Sequence, residues 1–393
     1  MINLNQNNQY STIPFLRLGF RPFFFATGLI GVLSMLMWML FYPSIMPVNN
    51  INPIDWHAHE MIFAYSSAVT VGFLLTASKN WTGVQTLYNK SLLLLLLLWI
   101  AGRFLPFISN EHLIYQAIVD SSFLIVSTIA IAYPIIKGKN WNNISVVAKV
   151  FLLTVAHILF YLGLLGFLDQ GVYLGVYLGF YLIISLLFMM SRRLLPFFIE
   201  RGLGLKTELK NSKFLDVSSL FLFLAFMVVE IFFASVLSTV IAGILFVIHA
   251  IRMYNWYHPK IWKKSLLWSI YLAYGFLTLG FAINVIGYFT PMGPNLDIHA
   301  FSFGIALMVL SMMSRVTLGH TGRNVFDPPK QLGIMFSLLI LSFVFRVLMT
   351  MVSIENYVEW IFISQVLWVI AFVFFLIIYT PMFFKARVDG QFG

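Results

Sequence analysis

Hydrophobic residues form twelve long runs along this chain, separated by short polar segments. Each run is close to the roughly 20 apolar residues that a helix needs to cross a bilayer. The runs are continuous, whereas a membrane strand would alternate apolar and polar residues. The pattern therefore predicts an all-α polytopic membrane protein with twelve transmembrane helices. The predicted spans are residues 22–42, 57–78, 91–109, 112–136, 146–168, 171–191, 215–235, 237–253, 265–289, 297–315, 331–351 and 360–384.

Basic residues orient these spans. Of the 24 lysines and arginines, 22 lie in the N-terminal arm, in every second loop or in the C-terminal tail, and the opposite loops hold none. By the positive-inside rule, both termini of this multi-pass protein are predicted to be cytoplasmic. The predicted parts are a cytoplasmic arm (1–21), a transmembrane domain (22–384) and a cytoplasmic tail (385–393). Topology accounts for the net charge of +10, so no nucleic-acid partner is expected.

Composition narrows the chemistry that the chain can carry. Only 10% of the residues are charged, and cysteine is absent. A chain without cysteine has no disulfide, no thiolate metal site and no haem attached through a Cys-x-x-Cys-His motif. Any metal must therefore be held by histidine, methionine, carboxylate or backbone.

Ionisable residues inside the spans gather at one depth. The predicted topology places His57, His59 and Glu60 at the outer end of span 2, and Arg103 and Arg346 in the outer halves of spans 3 and 11. Charged groups in a membrane usually face the bundle interior and pair. We therefore expect one polar centre in the outer half. The two arginines could pair with carboxylates or hold the propionates of a haem. The candidate carboxylates are Glu60, Asp120 and Glu230.

The histidines are the candidate metal ligands. His57 and His59 are two positions apart, about 200° around a regular helix. Three alternatives follow: one of them binds while the other caps or meets water, the first turn is unwound, or they serve two centres. His299 opens span 10 in a comparable position, and His157 is the only histidine deep in a span. Two imidazoles on facing helices hold haem in some bundles, and three without thiolate suit copper.

Further motifs have weaker interpretations. Residues 315–323 (RVTLGHTGR) predict a glycine-containing turn in which Arg315 and His320 are candidate anion or cofactor contacts. Pro196 predicts a helix exit after span 6, and His249 is expected near cytoplasmic headgroups. Short similarities among spans 2, 6 and 10 suggest three four-helix pseudo-repeats.

Several motifs together resemble the NnrS family, in order and over nearly the whole chain. They are residues 19–24 (GFRPFF), 56–61 (WHAHEM), 72–76 (GFLLT), 80–83 (NWTG), 101–103 (AGR), 193–198 (RLLPFF) and 314–323 (SRVTLGHTGR). The resemblance implies a bacterial inner-membrane protein that contains haem b and copper and is linked to nitric oxide metabolism and nitrosative stress. In the family's pattern a histidine stands where this chain has Tyr271.

A weaker resemblance is to the twelve-helix core of the haem–copper oxidases. It implies haem-ligand roles for His57 or His59 and for His299. Spans 6 and 7 carry no histidine here, so a copper triad of the oxidase kind is not expected.

The two resemblances imply a haem-binding protein that reduces, oxidises or sequesters nitric oxide or another small diatomic ligand. Glu60 would be its proton relay and a separate, unknown electron donor its redox partner. Whether it is an enzyme is open, and a nitric-oxide-transforming oxidoreductase is one candidate. The alternative is a membrane transporter or channel, or a non-catalytic haem sensor, that uses the same polar site.

Overall fold

The computed structural model describes residues 13–44, 51–107, 113–204, 209–233 and 235–393. These residues contain twelve helices long and apolar enough to cross a membrane, which confirms the predicted number of spans. The helices are α1 (Phe20–Phe41), α2 (Pro53–Thr82), α3 (Asn89–Phe107), α4 (Leu113–Lys137), α5 (Trp141–Leu164), α6 (Gly171–Leu203), α7 (Lys213–Phe232), α8 (Val236–Trp256), α9 (Ser265–Phe289), α10 (Leu296–His320), α11 (Gln331–Val352) and α12 (Ile354–Phe384).

Helices α6 and α10 continue past the ends that the sequence predicted for their spans. Helix α6 continues through Pro196 to Leu203, so the predicted exit at Pro196 is wrong. A proline inside a membrane helix is tolerated where neighbouring groups satisfy the freed carbonyl. Helix α10 continues to His320, so the turn in the 315–323 segment comes only after that residue. Gly322 then has a φ of +76°, a left-handed conformation that glycine adopts without strain.

Helices α2 and α11 each change to a π-helix for about one turn. The π-helical stretches are Glu60–Ser66 and Val344–Met349, and each contains an ionisable residue, Glu60 and Arg346 respectively. The wider turn of α2 is visible in the Ser66 hydroxyl, which donates to the carbonyl of Met61, five residues back, at 2.8 Å. Single π-turns inside helices are frequent at functional sites.

The chain divides into two compact units. The first comprises Met1–Ile183, Arg315–Val325 and Phe372–Gly393, and the second Ile184–Ser314 and Phe326–Ala371. In the first unit α2 packs against α1 and α4, and α4 also packs against α3 and α5. In the second unit α8 packs against α7 and α9. These units do not coincide with three groups of four spans, so the pseudo-repeat stays a prediction.

Arg21 joins the two ends of the chain within the first unit. It lies inside α1 rather than in a preceding arm, and its side chain is fully buried. One guanidinium nitrogen, Nη1, donates to the carbonyls of Met382, Phe383 and Lys385 at 2.7–3.0 Å. The other, Nη2, donates to the carbonyl of Gly393 at 2.7 Å. Arg21 therefore fixes the end of α12 and the tail against the start of α1.

Candidate metal centre

Three buried side chains of the first unit converge on one point. His59 on α2 and His157 on α5 face each other, with 3.1 Å between their Nε2 atoms. Asp120 on α4 places its Oδ2 atom 3.4 Å from each of these nitrogens. Exposure is 4%, 0% and 2% for His59, His157 and Asp120. Each side chain comes from a different helix, so the packing of α2, α4 and α5 creates the cluster.

Arg103 on α3 compensates the two carboxylates beside this cluster. Its Nη1 donates to Glu60 Oε1 at 2.8 Å, and its Nη2 donates to Asp120 Oδ1. Glu60 and Arg103 are themselves buried. The predicted alternative in which Arg103 pairs with Glu60 or Asp120 is thus what the structure contains, and it pairs with both.

Hydrogen bonds around the rings fix where the lone pairs point. Glu60 Oε1 lies 3.1 Å from His59 Nδ1, and an ionised carboxylate only accepts, so Nδ1 carries the hydrogen. The neutral His59 ring therefore directs the lone pair of Nε2 towards His157 and Asp120. His157 Nδ1 lies 3.2 Å from the Ser121 hydroxyl, which leaves the second Nε2 facing the same point.

Asp120 Oδ2 contributes more lone pairs to this point. The Tyr161 hydroxyl donates to it at 2.9 Å, and Gln116 donates to the Tyr161 oxygen at 3.3 Å. Lone pairs that face one another repel unless a proton or a cation lies between them. The arrangement is satisfied either by one hydrogen on His157 Nε2 or by a metal ion among the three atoms.

The spacing of the three atoms matches the needs of a metal ion. Four ligands at about 2.0–2.1 Å in a tetrahedron stand roughly 3.3–3.4 Å apart, close to the observed separations. A metal-bound imidazole also typically donates its other N–H to a carboxylate or another acceptor, as His59 does to Glu60. With neutral rings the two carboxylates and Arg103 leave one uncompensated negative charge, and a bound cation offsets it.

Close packing encloses the centre. Phe63 and Phe160 each lie with a ring centroid 4.7 Å from an imidazole, those of His157 and His59 respectively. Gly102 allows α3 to approach α4, because a Cβ at that position would lie 2.5 Å from Asp120 Oδ1. Apolar rings and tight helix contact therefore keep bulk water from the polar cluster.

Comparison with known proteins agrees with the motifs that surround this centre. The family model described as NnrS protein matches residues 14–387 of the chain. The chain belongs to the NnrS family. A search of curated proteins found no match. Membership supports a nitric-oxide-related membrane protein in general, and a link to metal or haem binding.

The NnrS centre fits an ion better than a haem. A haem iron between His59 and His157 would need the macrocycle to pass where Asp120 Oδ2 lies, 3.4 Å from both nitrogens. Both terminal nitrogens of Arg103 also bond to protein carboxylates, those of Glu60 and Asp120, rather than lying open towards a propionate. Haem ligation by this pair therefore does not fit the packing, and haem elsewhere in the chain stays a prediction.

The other predicted ligands have different surroundings. The stretch Pro53–His59 is a regular α-helix, so an unwound first turn is not observed. The His57 ring accordingly points away from His59 and stacks on Trp38 with 4.4 Å between centroids. His299 belongs to the second unit, where Nδ1 lies 2.7 Å from the Asn295 carbonyl and Nε2 lies 3.1 Å from Arg346 Nη2. Arg346 thus contacts an imidazole.

Three further residues were predicted to contact a cofactor, and the structure shows what surrounds them. They are Tyr271, Arg315 and His320. The Tyr271 hydroxyl donates to the Met253 carbonyl at 3.0 Å. His320 Nε2 lies 3.1 Å from the Asn80 amide nitrogen, and His320 Nδ1 lies 3.1 Å from the Val316 carbonyl. Arg315 lies on α10, inside the helix. Their cofactor roles stay predictions.

His249 has surroundings that the sequence did not indicate. It is 1% exposed rather than at a headgroup surface, and its ring stacks on Phe188 with 4.1 Å between centroids. Its Nδ1 lies 2.6 Å from the Tyr274 hydroxyl, which also accepts a bond from Arg252 at 3.1 Å. Arg252 in turn pairs with Asp216 at 3.0 Å. The regular spacing of His249 and Arg252 on α8 was the only signal that they share a face.

Proposed function

We propose that this NnrS protein is an inner-membrane metalloprotein that binds nitric oxide at one copper ion held by His59, Asp120 and His157. The observation that supports this most is the convergence of three buried ligand atoms with separations of 3.1–3.4 Å. Imidazole nitrogens suit copper, and copper(II) binds most tightly among first-row divalent ions. Two histidines with one carboxylate also suit non-haem iron(II), so metal analysis has to separate the two.

Copper bound there would supply an open coordination position for a diatomic ligand and a one-electron redox change. The chain's own residues prepare that position. Tyr161 holds Asp120 Oδ2 in place through its O–H, and Arg103 holds Oδ1. Glu60 accepts the N–H of His59 and fixes the orientation of that ring.

The contacts of Glu60 support the proton-relay role that the family resemblance implies for it. Its Oε1 atom accepts both the Arg103 guanidinium, at 2.8 Å, and the His59 N–H, at 3.1 Å. A carboxylate in contact with a ligand imidazole is placed to take and return the proton of that ring. Reduction of nitric oxide consumes protons and electrons, so turnover would need this path and an external electron donor.

Location and further cofactors are part of the same proposal. The one-sided distribution of the lysines and arginines supports cytoplasmic termini in the inner membrane. Haem b, if present, would be a second cofactor with ligands outside the His59 and His157 pair. Resistance to nitrosative stress would follow from removal of nitric oxide at the membrane.

Nitric oxide binding to the purified protein tests the proposal. Copper-loaded protein in detergent would be titrated anaerobically with nitric oxide and followed by electron paramagnetic resonance and absorbance. We expect a saturable change that His157→Gln abolishes and that His258→Gln, a loop histidine outside the centre, retains. Copper-loaded protein that gives no nitric-oxide-dependent signal would refute the proposal.

A second experiment distinguishes nitric oxide consumption from copper transport. Proteoliposomes that contain the protein would be assayed for nitric oxide consumption with a chemical reductant and for accumulation of copper. Consumption without accumulation supports the proposal. Copper accumulation that depends on the protein, with no consumption, would favour the transporter.

A further inference from the structure

The π-helical stretch of α2, Glu60–Ser66 (the π-turn), separates His59 from the part of the helix that packs closely on α1. A Cβ at Gly72 would lie 2.7 Å from Phe23 Cβ, and a Cβ at Gly19 would lie 2.7 Å from Leu75 Cβ. These close approaches fix the part of α2 after the π-turn against α1. The direction in which His59 points, relative to this fixed part, therefore depends on the π-turn.

The π-helical form determines whether His59 can reach its partner. A π-turn holds one residue more than the α-helical stretch it replaces, and one residue corresponds to about 100° of rotation around a helix. If Glu60–Ser66 became α-helical while the part after it stayed in place, His59 would turn away from His157 by about 100°. The separation of 3.1 Å between the two Nε2 atoms therefore depends on the π-helical form.

A side chain from α3 supports the π-turn. The backbone N–H of Ser67, directly after it, is shared between the carbonyls of Ile62 and Ala64. The indole Nε1–H of Trp99 donates to the same Ala64 carbonyl at 3.3 Å. Trp99 is only 4% exposed, and a buried carbonyl in an irregular stretch needs a donor of this kind. The indole therefore stabilises the backbone of the π-turn from outside α2.

Trp99 also contacts the charged side of the metal centre. The guanidinium carbon of Arg103 lies 5.9 Å from the centroid of the Trp99 ring. The two residues are four positions apart, on one face of α3. Arg103 in turn donates to Glu60 and Asp120. One indole thus supports both the π-turn and the arginine that compensates the two carboxylates.

We propose that Trp99 and Ser66 are positioning residues of the metal centre. They hold α2 in its π-helical form, and this form directs His59 towards His157. Trp99 acts from α3, and Ser66 acts locally, since its hydroxyl donates to the Met61 carbonyl five residues back at 2.8 Å. The inference rests on the proposed metal function, because the direction of His59 matters to that function only if its ring is a ligand.

Copper-loaded, full-length Trp99→Phe tests this role, since it removes the indole N–H and keeps a ring beside Arg103. We expect the copper hyperfine coupling in electron paramagnetic resonance to change, because a misdirected imidazole alters the ligand field. Copper affinity, measured by competition with a chelator, should fall about fivefold to tenfold. Trp360→Phe is the matched control, because it loses an indole bond of the same kind, to the Ser353 carbonyl at 3.1 Å in the second unit. Its coupling and affinity should equal those of the wild type.

Ser66→Ala is the second variant, and it decides the question if Trp99→Phe does not fold. It should change the hyperfine coupling in the same direction as Trp99→Phe. Its control is Ser34→Ala, which removes a buried hydroxyl bond to the Ile30 carbonyl, four residues back in the regular helix α1. That control should leave the copper signal unchanged, although it also loses a buried hydrogen bond.

The results that overturn the proposal are distinct from those that refute copper binding. A folded Trp99→Phe or Ser66→Ala with the wild-type coupling and affinity would overturn the role of that residue, even if its stability falls. A wild-type protein that binds no copper would refute the proposed function. Amide hydrogen exchange of residues 60–67 in metal-free protein then decides whether Trp99 holds the π-turn. We expect faster exchange in Trp99→Phe than in the wild type or Trp360→Phe, and equal exchange would overturn the inference.

Discussion

The Nε2 atoms of His59 and His157 face each other at 3.1 Å, although the two residues are 98 positions apart. With His59 Nδ1 protonated towards Glu60, two lone-pair donors and a carboxylate oxygen share one small volume. A single proton or a single metal ion between these atoms removes the repulsion of their lone pairs. The net negative charge of Glu60, Asp120 and Arg103 favours the metal cation. The relationship between these two rings is the basis of the proposed function.

Loss of Arg103 should destabilise the first unit strongly. In Arg103→Gln, the Glu60 and Asp120 carboxylates lose the charge that compensates them in a buried site. Removing one partner of a buried ion pair typically costs about 3–5 kcal/mol. Unfolding in detergent should therefore occur at a clearly lower denaturant concentration than in the wild type.

The control for this substitution is Arg192→Gln. Arg192 pairs with Asp216 at 2.7 Å, but its side chain is 41% exposed. Exposed pairs contribute about 1 kcal/mol or less. Equal effects of the two substitutions would contradict the buried ion-pair account.

A methyl group at Gly102 should weaken metal binding without removing any ligand. In Gly102→Ala the new Cβ would lie 2.5 Å from Asp120 Oδ1 and 2.9 Å from Asp120 Cγ, so the carboxylate must move. We expect copper affinity to fall about tenfold or more, measured by competition with a chelator. Gly333→Ala is the control, because a Cβ there meets nothing within 4 Å. Unchanged affinity in Gly102→Ala would argue against Asp120 as a ligand.

The hydroxyl of Tyr274 should stabilise the second unit. Tyr274→Phe leaves His249 Nδ1 and Arg252 Nη1 without the oxygen that joins them. A buried polar group that loses its partner costs about 1–3 kcal/mol. Thermal unfolding should shift accordingly, whereas Tyr254→Phe, which alters a side chain that is 82% exposed, should leave the midpoint unchanged. Equal midpoints for Tyr274→Phe and the wild type would contradict the network.

The tail should depend on one surface ion pair outside the spans. Arg387 donates to both Asp389 carboxylate oxygens, at 2.9 and 2.5 Å, and Val388 donates to the Thr321 carbonyl at 3.2 Å. We expect Asp389→Asn to speed amide hydrogen exchange in residues 385–393 at pH 7. Asp327→Asn, an exposed carboxylate elsewhere, serves as the control. No change in Asp389→Asn would show that the pair does not hold the tail.

The pH dependence of that exchange has a definite sign. The hydrogen bonds from Arg387 lower the pKa of Asp389 to about 2. Because the folded pKa lies below the ordinary value of about 3.9, the pair stabilises the tail fully above that value. After correction for intrinsic rates, exchange in the wild type should be constant from pH 8 to about 4 and rise only below that.

The twelve spans could be predicted because length and hydrophobicity are local properties of the sequence, and the basic loops alternate. The partners of Arg103 were also foreseeable, since a charge at that depth needs a buried carboxylate. Asp120 as a third candidate ligand was not foreseen, because its place beside two imidazoles depends on how α2, α4 and α5 pack. His249 was misplaced because the parallel Phe188 ring that covers it comes from α6.

The π-helix in α2 and the full length of α6 could not be predicted from the sequence for a related reason. Nothing in the residues Glu60–Ser66 distinguishes a π-helix from an α-helix, since the choice depends on contacts with other helices. Pro196 is normally a helix-ending signal, yet α6 continues because the surrounding bundle outweighs the local preference of one residue. Tertiary packing therefore determines both the π-helix in α2 and the continuation of α6 through Pro196.

The metal content of the purified protein tests the central claim most directly. Protein produced with copper available, then washed free of loosely bound metal, would be analysed by mass spectrometry of its elements beside His157→Gln and His258→Gln. Because three buried ligand atoms converge on a single point, we expect about one copper per chain in the wild type and in His258→Gln, and almost none in His157→Gln. A folded wild-type protein without a tightly bound transition metal, or a His157→Gln variant that retains it, would contradict the account.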